Sequence, residues 1–346
     1  MSAAPAVPAI TVVIICHDSV EALESTLPAL AAQLAGDDAV VLVDSGSADG
    51  GPDAVAHLLP AARRVDAGGN VGFAAGCDLG VAQTASELVL LLNPDAVPAP
   101  GFLDALRGAA GRHPDWGAWQ ALVTMHDGRE VNTSGNLVHW LGFGWAGALG
   151  QPVAGVDPAE REVGFGSGAA LVVRRAAWDA AQGFDPEYFM YGEDLDLSLR
   201  LRLAGWKIGV VPSARADHDY TFTKGDYKWF YLERNRWWTI VAAYPLSLLL
   251  VVFPALLALE LALLVAAAQG GWLRAKLRAQ AAVLRSLPRM LRRRRAVQAT
   301  RTVGARAFAE GLTASLDSPV IEAASRSRVL RTAQRTFWRG ALAVLR

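Results

Sequence analysis

Leu90-Leu91-Leu92-Asn93-Pro94-Asp95-Ala96 is an apolar run that ends on a carboxylate, and the expected fold follows from it. A short, unbroken apolar run is typical of a buried strand in a parallel sheet. Pro94 stiffens the turn that follows, and Asp95 places carboxylate oxygens at the carboxyl end of the strand. Such oxygens suit a divalent cation that carries a diphosphate, so we predict metal binding here rather than a simple turn or helix cap.

Similar apolar runs alternate with helical patterns along most of the chain. Strands are predicted over residues 10–16, 39–43, 87–92, 168–173 and 207–212, and helices over 20–35, 71–84 and 194–204. This alternation predicts an α/β fold with a doubly wound, mostly parallel sheet. Residues 112–165, which are rich in Trp and Gly, are predicted to form loops and mixed strands that cover the site.

Ligands of doubly wound sheets bind beyond the carboxyl ends of the strands. The side chains predicted at that edge are those of His17, Asp18, Asp44, Asn93 and Asp95. His218 follows the last predicted strand, where the sequence is equally compatible with a metal ligand and with an ordinary structural histidine. We therefore expect a binding site at this edge of the sheet.

A second acidic motif, Phe189-Met190-Tyr191-Gly192-Glu193-Asp194-Leu195-Asp196, precedes a helical pattern. The helix dipole favours carboxylates at a helix N-terminus, which gives this pair a purely structural explanation. Two adjacent carboxylates among the aromatic side chains of Tyr188, Phe189 and Tyr191 also favour a raised pKa in one of them. We therefore predict that Asp194 is a general base and that Glu193 is a second catalytic residue.

Two loops are candidates for binding a sugar or nucleotide donor. Asp44-Ser45-Gly46-Ser47 has the composition of a turn, but a carboxylate at a strand end also accepts hydrogen bonds from a nucleobase imide or a ribose hydroxyl. The segment 68–76, which contains Asn70 and Gly72, lacks the spacing of the dinucleotide-binding fingerprint. Its glycines permit close packing, and we favour a donor-binding loop over packing alone.

The bulk composition raises the question of where the apolar residues lie. The 346 residues are 52% hydrophobic, with a mean hydropathy of +0.24, which is high for a purely soluble protein. The two cysteines, Cys16 and Cys77, argue against a disulfide framework and fit a reducing cytosol. The first ten residues do not have the pattern of a secretory signal.

The net charge of zero conceals a strong asymmetry. Residues 269–346 contain 17 Lys and Arg against 3 Asp and Glu, giving +14, so residues 1–268, with 16 against 30, carry −14. A basic tail binds phosphate, either on nucleic acid or on anionic lipid. Because the basic helical pattern at 272–295 directly follows an apolar segment, we predict anionic membrane lipid, and not nucleic acid, as the partner.

The apolar segment at 239–268 contains only two ionisable side chains, Tyr244 and Glu260, and is longer than the ~20 residues needed to cross a bilayer. One span would place the basic tail outside, against the positive-inside tendency. We therefore predict a re-entrant or in-plane hairpin broken at Pro254, with one ordinary span as the alternative. The predicted divisions are a transferase domain at 1–236, a membrane-embedded or re-entrant segment at 237–270 and a basic helical tail at 271–346.

The motifs, taken in order, resemble those of the family 2 glycosyltransferases, especially the bacterial rhamnosyltransferase-like and galactofuranosyltransferase-like branch. The matching segments are 12–15, 43–50, 70–76, 92–95, 183–196, 205–207 and 211–214, which together extend over residues 10–236. The most specific of them is Gly183-Phe184-Asp185-Pro186-Glu187-Tyr188-Phe189-Met190-Tyr191-Gly192-Glu193-Asp194-Leu195-Asp196.

The resemblance implies the GT-A fold, a nucleotide-diphosphate-sugar donor and a divalent metal, Mg²⁺ or Mn²⁺. It places Asp95 at the last position of the family's Asp-x-Asp motif, with Asn93 at the first, and it places Asp194 at the position of the base. It places His218 at a metal-coordinating position. Asp78 stands where relatives often carry Asn, and it completes a set of expected donor-binding residues: His17, Asp18, Asp44, Asn70, Gly72, Asp78, Asn93 and Asp95.

Together these features predict a metal-dependent, inverting glycosyltransferase on the cytoplasmic face of a bacterial inner membrane. The donor would be a UDP- or dTDP-sugar, with rhamnose as a candidate, and the acceptor a lipid-linked saccharide or another cell-envelope glycan. Two alternatives are a nucleotidyltransferase on a similar sheet and a non-catalytic membrane-associated scaffold with a degenerate transferase domain. Cys16-His17-Asp18-Ser19 lacks the Gly and the cation that would bind a triphosphate, and intact Asp95 and Asp194 argue against degeneracy.

Overall fold

The computed structural model describes residues 8–219, 225–317 and 327–345. Within them, a ten-stranded sheet forms the centre of the molecule. Its strands are β1 (Ile10–Cys16), β2 (Ala39–Asp44), β3 (Arg63–Asp66), β4 (Leu88–Leu92), β5 (Val97–Pro98), β6 (Trp116–Met125), β7 (Glu130–Thr133), β10 (Arg161–Glu162), β11 (Ala170–Arg174) and β12 (Lys207–Asp217). A separate two-stranded sheet pairs β8 (Asn136–Val138) with β9 (Gly144–Ala146).

The sheet is mostly parallel, as the alternation of strands and helices predicts. Its order is β10-β12-β6-β11-β4-β1-β2-β3, with β5 paired to β12 and β7 to β6. Strands β3, β2, β1 and β4 are parallel neighbours, and so are β6 and β12. Strand β11 lies antiparallel between β4 and β6, so the sheet contains two parallel parts joined by one reversed strand.

Helices lie on both faces of the sheet. They are α1 (Val20–Ala31), α2 (Gly51–Ala54), α3 (Gly72–Val81), α4 (Phe102–Arg112), α5 (Arg175–Ala181), α6 (Glu193–Leu203), α7 (Gly225–Ala243), α8 (Leu246–Gln269), α9 (Leu273–Ala299), α10 (Ala305–Glu310) and α11 (Arg328–Val344), with 3-10 turns at Val153–Gly155 and Pro186–Tyr188. Because side chains alternate along a strand, β1 supplies both layers. Val12 and Ile14 share a core with α1 and α4, whereas Val13 and Ile15 share one with α3 and α6.

The Trp- and Gly-rich region at 112–165, predicted to form loops and mixed strands that cover the site, contributes a strand to the centre of the sheet. Strand β6 lies between β11 and β12, and all of its residues except Met125 are buried. Gln120 interrupts the apolar pattern in the middle of this strand. Its amide is satisfied by Thr133 Oγ1 at 3.3 Å and by the N–H of Ser167 at 2.9 Å, which is how a buried amide is tolerated there.

The short strand β5 brings the end of β12 to the end of β4. Val97 pairs with Asp217 and Pro98 pairs with Ala216, directly after the turn that carries Asp95. The next residue after Asp217 is His218. This antiparallel pairing therefore places His218 beside the predicted metal-binding turn.

Helices α7, α8 and α9 are arranged up, down and up. Trp229 of α7 stacks on Trp272 at the start of α9, with ring centroids 5.0 Å apart. At the other end, Gln298 of α9 donates hydrogen bonds to the carbonyls of Ala242 and Ala243 in α7. Helices α7 and α9 are therefore parallel. Helix α8 connects them in sequence and runs in the opposite direction.

The predicted hairpin at Pro254 is wrong. Helix α8 continues from Leu246 to Gln269 with Pro254 inside it, since a proline removes one helical hydrogen bond without forcing a reversal. The chain reverses instead at residues 244–245 and 270–272. Within the described residues, α8 is the one helix whose length and composition suffice to cross a membrane. Of its most apolar 18-residue stretch, 17% is buried inside the protein.

The three predicted divisions share one hydrophobic core. Leu197 of α6, Trp238 of α7, Val252 of α8 and Met290 of α9 belong to the same cluster of buried side chains. The boundaries at residues 236 and 270 therefore mark changes in composition rather than gaps in packing. The helices after residue 236 are packed on the sheet domain.

Candidate active site

The ends of β1 and β2 carry a chain of hydrogen bonds between predicted donor-site residues. His17 follows β1 and Asp44 ends β2, its register neighbour. His17 Nδ1 lies 3.0 Å from the carbonyl oxygen of Ser45, and Asn70 Nδ2 lies 3.2 Å from His17 Nε2. Asn70 Oδ1 in turn accepts a hydrogen bond from Gly72 N at 3.1 Å. Two strand ends and the glycine loop therefore meet at one point.

Asp44 and Asp18 shape the turns at this edge. Asp44 Oδ1 accepts a hydrogen bond from Ser47 N at 2.9 Å, and Asp18 Oδ1 accepts one from Ala48 N at 2.6 Å. Asp18 has φ +48°, a left-handed conformation that Asp adopts more readily than most residues. The side chains of His17 and Asp18 are exposed and that of Asp44 is half-buried, so all three are accessible to a ligand.

Asp95 and His218 meet at the ends of β4 and β12. His218 Nε2 lies 3.1 Å from Asp95 Oδ1 and 3.4 Å from Asn93 Nδ2. Asn132 of β7 donates a hydrogen bond to the carbonyl oxygen of His218 at 2.9 Å and lies 3.3 Å from its Nδ1. His218 is 7% exposed, whereas Asp95 is 50% exposed. The pair combines a fixed imidazole with a carboxylate that opens to solvent.

These two side chains fit a divalent ion. A carboxylate oxygen and an imidazole nitrogen are donors that Mn²⁺ accepts, and carboxylate oxygens also suit Mg²⁺. Over residues 8–219, 225–317 and 327–345, no group of three or more His, Cys, Asp or Glu side chains could hold a metal ion. Two protein ligands leave the other coordination positions to water and substrate phosphate, which is how Mg²⁺ is usually bound.

Asp194 lies in the first turn of α6, as predicted. Its Oδ2 accepts a hydrogen bond from Gly168 N at 3.0 Å, and its Oδ1 accepts one from Leu195 N at 2.7 Å. Burial raises the pKa of Asp194, and these backbone hydrogen bonds oppose the rise. Ala169, next to Gly168, accepts a hydrogen bond from Asn93 N. One segment before β11 therefore joins the base candidate to the metal-site candidates.

Glu193 is buried in the core. Its side chain is 6% exposed, and Oε2 has no hydrogen-bond partner among the described residues. Burial, and then the charge of Asp194, raises the pKa of Glu193 to about 8. The charge of Glu193 also contributes to raising the pKa of the buried Cys77 thiol in α3. This position gives no support to the catalytic role predicted for Glu193, and we do not propose one.

Gly72 allows the glycine loop to pack against the segment before α6. It has φ +78°, and a Cβ at this position would lie 2.5 Å from Phe189 Cδ2 and 2.6 Å from Phe189 O. Ala74 N donates a hydrogen bond to the same carbonyl at 3.1 Å. Gly72 therefore serves close packing, which was the alternative to direct donor contact. The exposed Asn70 remains the candidate donor contact in this loop.

Asp78 has a structural contact instead of a place at the sheet edge. Its Oδ1 accepts a hydrogen bond from Phe184 N at 3.0 Å. Burial raises the pKa of Asp78 to about 6, and the hydrogen bond and the charges of Arg200 and Arg293 moderate the rise. Asp78 thus fixes the turn before the second acidic motif, and we do not include it among the donor-site residues.

A family model described as "Glycosyltransferase like family 2" matches residues 8–239, a range that contains the whole site from His17 to His218. The chain belongs to this family. The strand-end carboxylates and the acidic motif at α6 all lie within the matched range. The predicted enzyme class is confirmed.

This family 2 glycosyltransferase is similar to known rhamnosyltransferases. It is 34% identical over 208 residues to the N-acetylglucosaminyl-diphospho-decaprenol L-rhamnosyltransferase of Mycobacterium tuberculosis, a match covering 54% of this chain and 68% of that relative. It is 39% identical over 71 residues to Rhamnosyltransferase WbbL of Escherichia coli, covering 20% of this chain and 26% of that relative. The predicted resemblance to the rhamnosyltransferase-like branch is confirmed.

Solved glycosyltransferase structures share the fold. GalNAc-T7, solved with UDP, GalNAc and Mn²⁺, gives a TM-score of 0.56 at 13% identity over 69% of this chain and 48% of its own. TarS 1–349 of S. aureus, solved with UDP, gives 0.51 at 16% identity over 96% of this chain and 92% of its own. At these identities the likeness concerns the fold alone, and the predicted GT-A fold is confirmed.

Several residues that shape the site were not predicted from the sequence. Asn132 orients His218 from a strand that the sequence did not reveal. Ser45 Oγ accepts a hydrogen bond from Val71 N at 3.0 Å and so ties β2 to the glycine loop. Asn235 contacts the segment before α6 from α7, a helix that was not predicted and that crosses the predicted division at residue 236. Each contact is formed between segments that are far apart in sequence, so no local sequence pattern predicts it.

Proposed function

We propose that this enzyme transfers a sugar from a nucleoside-diphosphate sugar to a lipid-linked saccharide, with inversion at the anomeric carbon. The supporting observation is the segment before β11, where Gly168 N donates to Asp194 Oδ2 and Ala169 O accepts from Asn93 N. A base candidate and a diphosphate-site candidate therefore lie at one edge of the sheet. A direct displacement needs both groups there, one at each side of the anomeric carbon.

The donor site consists of two parts. His17, Asp18 and Asp44, at the ends of β1 and β2, and Asn70, in the glycine loop before α3, offer hydrogen-bonding groups to the nucleoside. Asp95 and His218 would hold the divalent ion, and Asn93 and Asn132 orient the imidazole. When bound, this ion neutralises the diphosphate and stabilises it as a leaving group. A dTDP- or UDP-sugar is the donor class, with rhamnose as the sugar that the relatives' names suggest.

Asp194 is the general base in this scheme. Its carboxylate takes the proton of the acceptor hydroxyl while the acceptor oxygen bonds to the anomeric carbon and the bond to the diphosphate breaks. Two backbone N–H groups fix the orientation of the carboxylate. Its raised pKa makes it a better proton acceptor than an exposed Asp. No covalent intermediate forms, so the scheme needs no Ser or Cys nucleophile.

The acceptor and the location are proposed together. The mycobacterial relative is named for a diphospho-decaprenol-linked acceptor. A polyprenyl-linked saccharide is held in a membrane, whereas nucleotide sugars are cytosolic, so the site must face the cytosol next to the bilayer. We place the enzyme on the cytoplasmic face of the inner membrane.

Helix α8 supplies an apolar surface for that membrane. Its exposed apolar side chains follow one side of the helix and comprise Leu246, Leu250, Phe253, Leu257, Leu261 and Val265. The buried side chains of Leu248, Val252 and Leu256 pack on the protein. A helix with one buried and one exposed apolar side suits an interface, because only the exposed side reaches lipid.

Glu260 lies on the protein side of α8, where cations compensate its charge. Lys276 Nζ lies 2.5 Å from Glu260 Oε2 and 2.6 Å from Glu233 Oε1. Arg236 pairs with both carboxylates as well. Charged groups at the centre of a bilayer are costly, and α7 and α9 would carry these groups with them if α8 crossed it. The arrangement therefore favours α8 lying in the plane of the interface.

The basic residues of α9 divide between protein and solvent. Arg289 and Arg293 pair with Asp185, and Arg294 donates to the carbonyls of Val241 and Tyr244. The exposed arginines are Arg274, Arg278, Arg285, Arg292 and Arg295. Only this second group is available to anionic lipid, so the proposed lipid contact uses part of the basic region.

A transfer assay tests the proposed function. The full chain is incubated with labelled UDP- and dTDP-sugars, with Mn²⁺ or Mg²⁺, and with a polyprenyl-diphosphate-linked saccharide in detergent or vesicles. We expect sugar transfer that depends on the divalent ion and on Asp194, with a product of inverted anomeric configuration by NMR. Retention of configuration, or transfer that survives Asp194→Asn, would contradict the mechanism.

A further inference from the structure

The segment before the base has a strained backbone. Phe189, with φ +64° and ψ −65°, is the centre of a γ-turn that is closed by a 2.7 Å hydrogen bond from Met190 N to Tyr188 O. Tyr191 and Gly192 follow with φ +67° and +87°. This type of γ-turn is rare and strained, and non-glycine residues with positive φ persist only where the surrounding structure holds them. Some other element must therefore fix this turn.

Asn235 of α7 provides that contact. Its Nδ2 lies 3.1 Å from Tyr188 O, 3.0 Å from Met190 O and 2.7 Å from Tyr191 O. The side chain is 1% exposed, so water does not compete for these carbonyls. The neighbouring Arg234 donates from Nε to Asn235 Oδ1 at 2.9 Å, which orients the amide with its nitrogen toward the turn. The two N–H groups of this buried side chain are thus shared among three carbonyls of the strained turn, and one of these, Tyr188 O, also accepts a hydrogen bond from Arg234 Nη2 at 2.9 Å.

The same turn contacts the donor side of the site. Phe189 O accepts the hydrogen bond from Ala74 N in α3, and the absence of a Cβ at Gly72 makes this approach possible. On its other side the turn leads through Gly192, the residue before α6, to Asp194. The conformation of the turn therefore sets the distance between the glycine loop and the base.

We propose that Asn235 is a positioning residue for sugar transfer, which holds the γ-turn at Phe189 so that Asp194 faces the donor site. This inference rests on the proposed role of Asp194 as the base. Asn235 acts through the turn and need not touch substrate. Its loss should therefore affect the reaction step more than the binding of the donor.

The test compares Asn235→Ala with Gln298→Ala, measured on the full chain. Gln298 is a matched control because its amide also holds two carbonyls of α7, those of Ala242 and Ala243, without contacting the turn. We expect Asn235→Ala to lower kcat by about 100-fold with a donor KM within a few-fold of wild type. Asn235→Gln, which retains an amide donor, should recover part of this loss and serves as the test variant if the alanine variant fails to fold.

A second measurement does not depend on turnover. Amide hydrogen exchange of Ala74 and of residues 188–192 should be faster in Asn235→Ala than in Gln298→Ala, because the turn loses its restraint. Equal kcat and equal exchange in the two variants would overturn the proposal, and so would a change confined to donor KM. An inactive wild-type enzyme with normal exchange differences would instead count against the proposed function and leave the restraint on the turn intact.

Discussion

Arg293 Nη2 in α9 lies 2.6 Å from Asp196 Oδ2 in α6, two residues beyond Asp194. Arg293 also pairs with Asp185, and Arg200 shares the Asp196 carboxylate at 2.7 Å. Burial alone would raise the pKa of Asp196, but Arg293 and then Arg200 outweigh it and hold the pKa below its usual value. Part of the basic C-terminal region is therefore structural, because it neutralises the buried carboxylates of Asp185 and Asp196.

We predict that Arg293→Ala lowers the free energy of unfolding by about 3–5 kcal/mol, because it leaves buried carboxylates short of a partner. Arg292→Ala is the matched control, since Arg292 is exposed, and its effect should stay within about 0.5 kcal/mol. Urea unfolding measures both. The pKa of Asp196 is lower in the folded chain than its value of about 3.9 in the unfolded chain. The stability that the ionised Asp196 contributes is therefore present above about pH 3.9 and is lost as the pH falls below it. Equal losses in the two variants would refute this account.

Asp194→Asn is predicted to reduce transfer by about 100-fold to 10,000-fold while leaving the dissociation constant of the donor nearly unchanged. The amide cannot accept the acceptor's proton, and its one carbonyl oxygen can keep only one of the two hydrogen bonds that the carboxylate accepts from Gly168 N and Leu195 N. Steady-state kinetics and calorimetric titration with the nucleoside diphosphate separate the two effects. A large loss of donor affinity would mean that Asp194 binds the donor instead of acting as a base.

Asp95→Ala and His218→Ala should each weaken binding of the nucleoside diphosphate in the presence of Mn²⁺, because both side chains are proposed to hold the ion. Asp104→Ala is the control, since Asp104 is a highly exposed carboxylate on α4. Titrations with and without a chelator provide the measurement. If the chelator leaves the wild-type affinity unchanged, the proposed metal role of both residues is wrong.

The sequence predicts those parts of this fold that local patterns encode. Strands β1, β2 and β4 are short apolar runs, and each is found within one or two residues of its predicted bounds. Strand β6 was missed because Gln120 interrupts its pattern, although Thr133 and Ser167 satisfy the amide in the folded chain. Such compensation comes from distant residues and cannot be read from a local window.

For the candidate site, too, the sequence predicted some features, and others depend on packing. The meeting of Asp95 with His218 follows from strand ends that share one edge, and the sequence predicted that edge. The interior position of Glu193 did not follow, because neighbouring residues in the first turn of a helix face different directions. The division of α9 into inner and outer arginines also depends on which side of the helix faces α6, which only packing decides.

Glu193→Gln is predicted to stabilise the protein at alkaline pH by about 1–3 kcal/mol, because it removes a charge that burial disfavours. The pKa of folded Glu193, about 8, is raised above that of the unfolded chain. The folded state therefore holds a proton that the unfolded state releases, and wild-type stability falls as the pH rises from about 4.5 toward 8. Thermal unfolding at pH 6 and pH 9 should show a larger advantage for the variant at pH 9. An advantage that shrinks with pH would contradict the assignment.

Helix α8 is the proposed contact with the membrane. If α8 lies in the interface, replacing Leu250 and Leu257 together by Asp should strongly reduce flotation of the protein with anionic vesicles, because these side chains are on its exposed side. Val329→Asp is the matched control, since Val329 is an equally apolar and 81% exposed residue on α11. The double variant should keep its thermal stability and its turnover of a detergent-dispersed acceptor. An unchanged flotation would remove α8 from the membrane contact.

The membrane topology of the chain distinguishes an interfacial α8 from an α8 that spans the bilayer. An interfacial α8 leaves both of its flanks, and therefore α9, on the cytosolic side with the active site. Cys16 and Cys77 are buried, so a cysteine introduced at the exposed Arg292 provides the reactive thiol for labelling. We expect an impermeant maleimide to modify this cysteine in inverted membrane vesicles but not in intact cells. Labelling from outside intact cells would show that α8 crosses the bilayer and would overturn the interfacial arrangement. A crossing α8 would take the paired charges of Glu260, Lys276 and Arg236 into the bilayer, which is energetically costly.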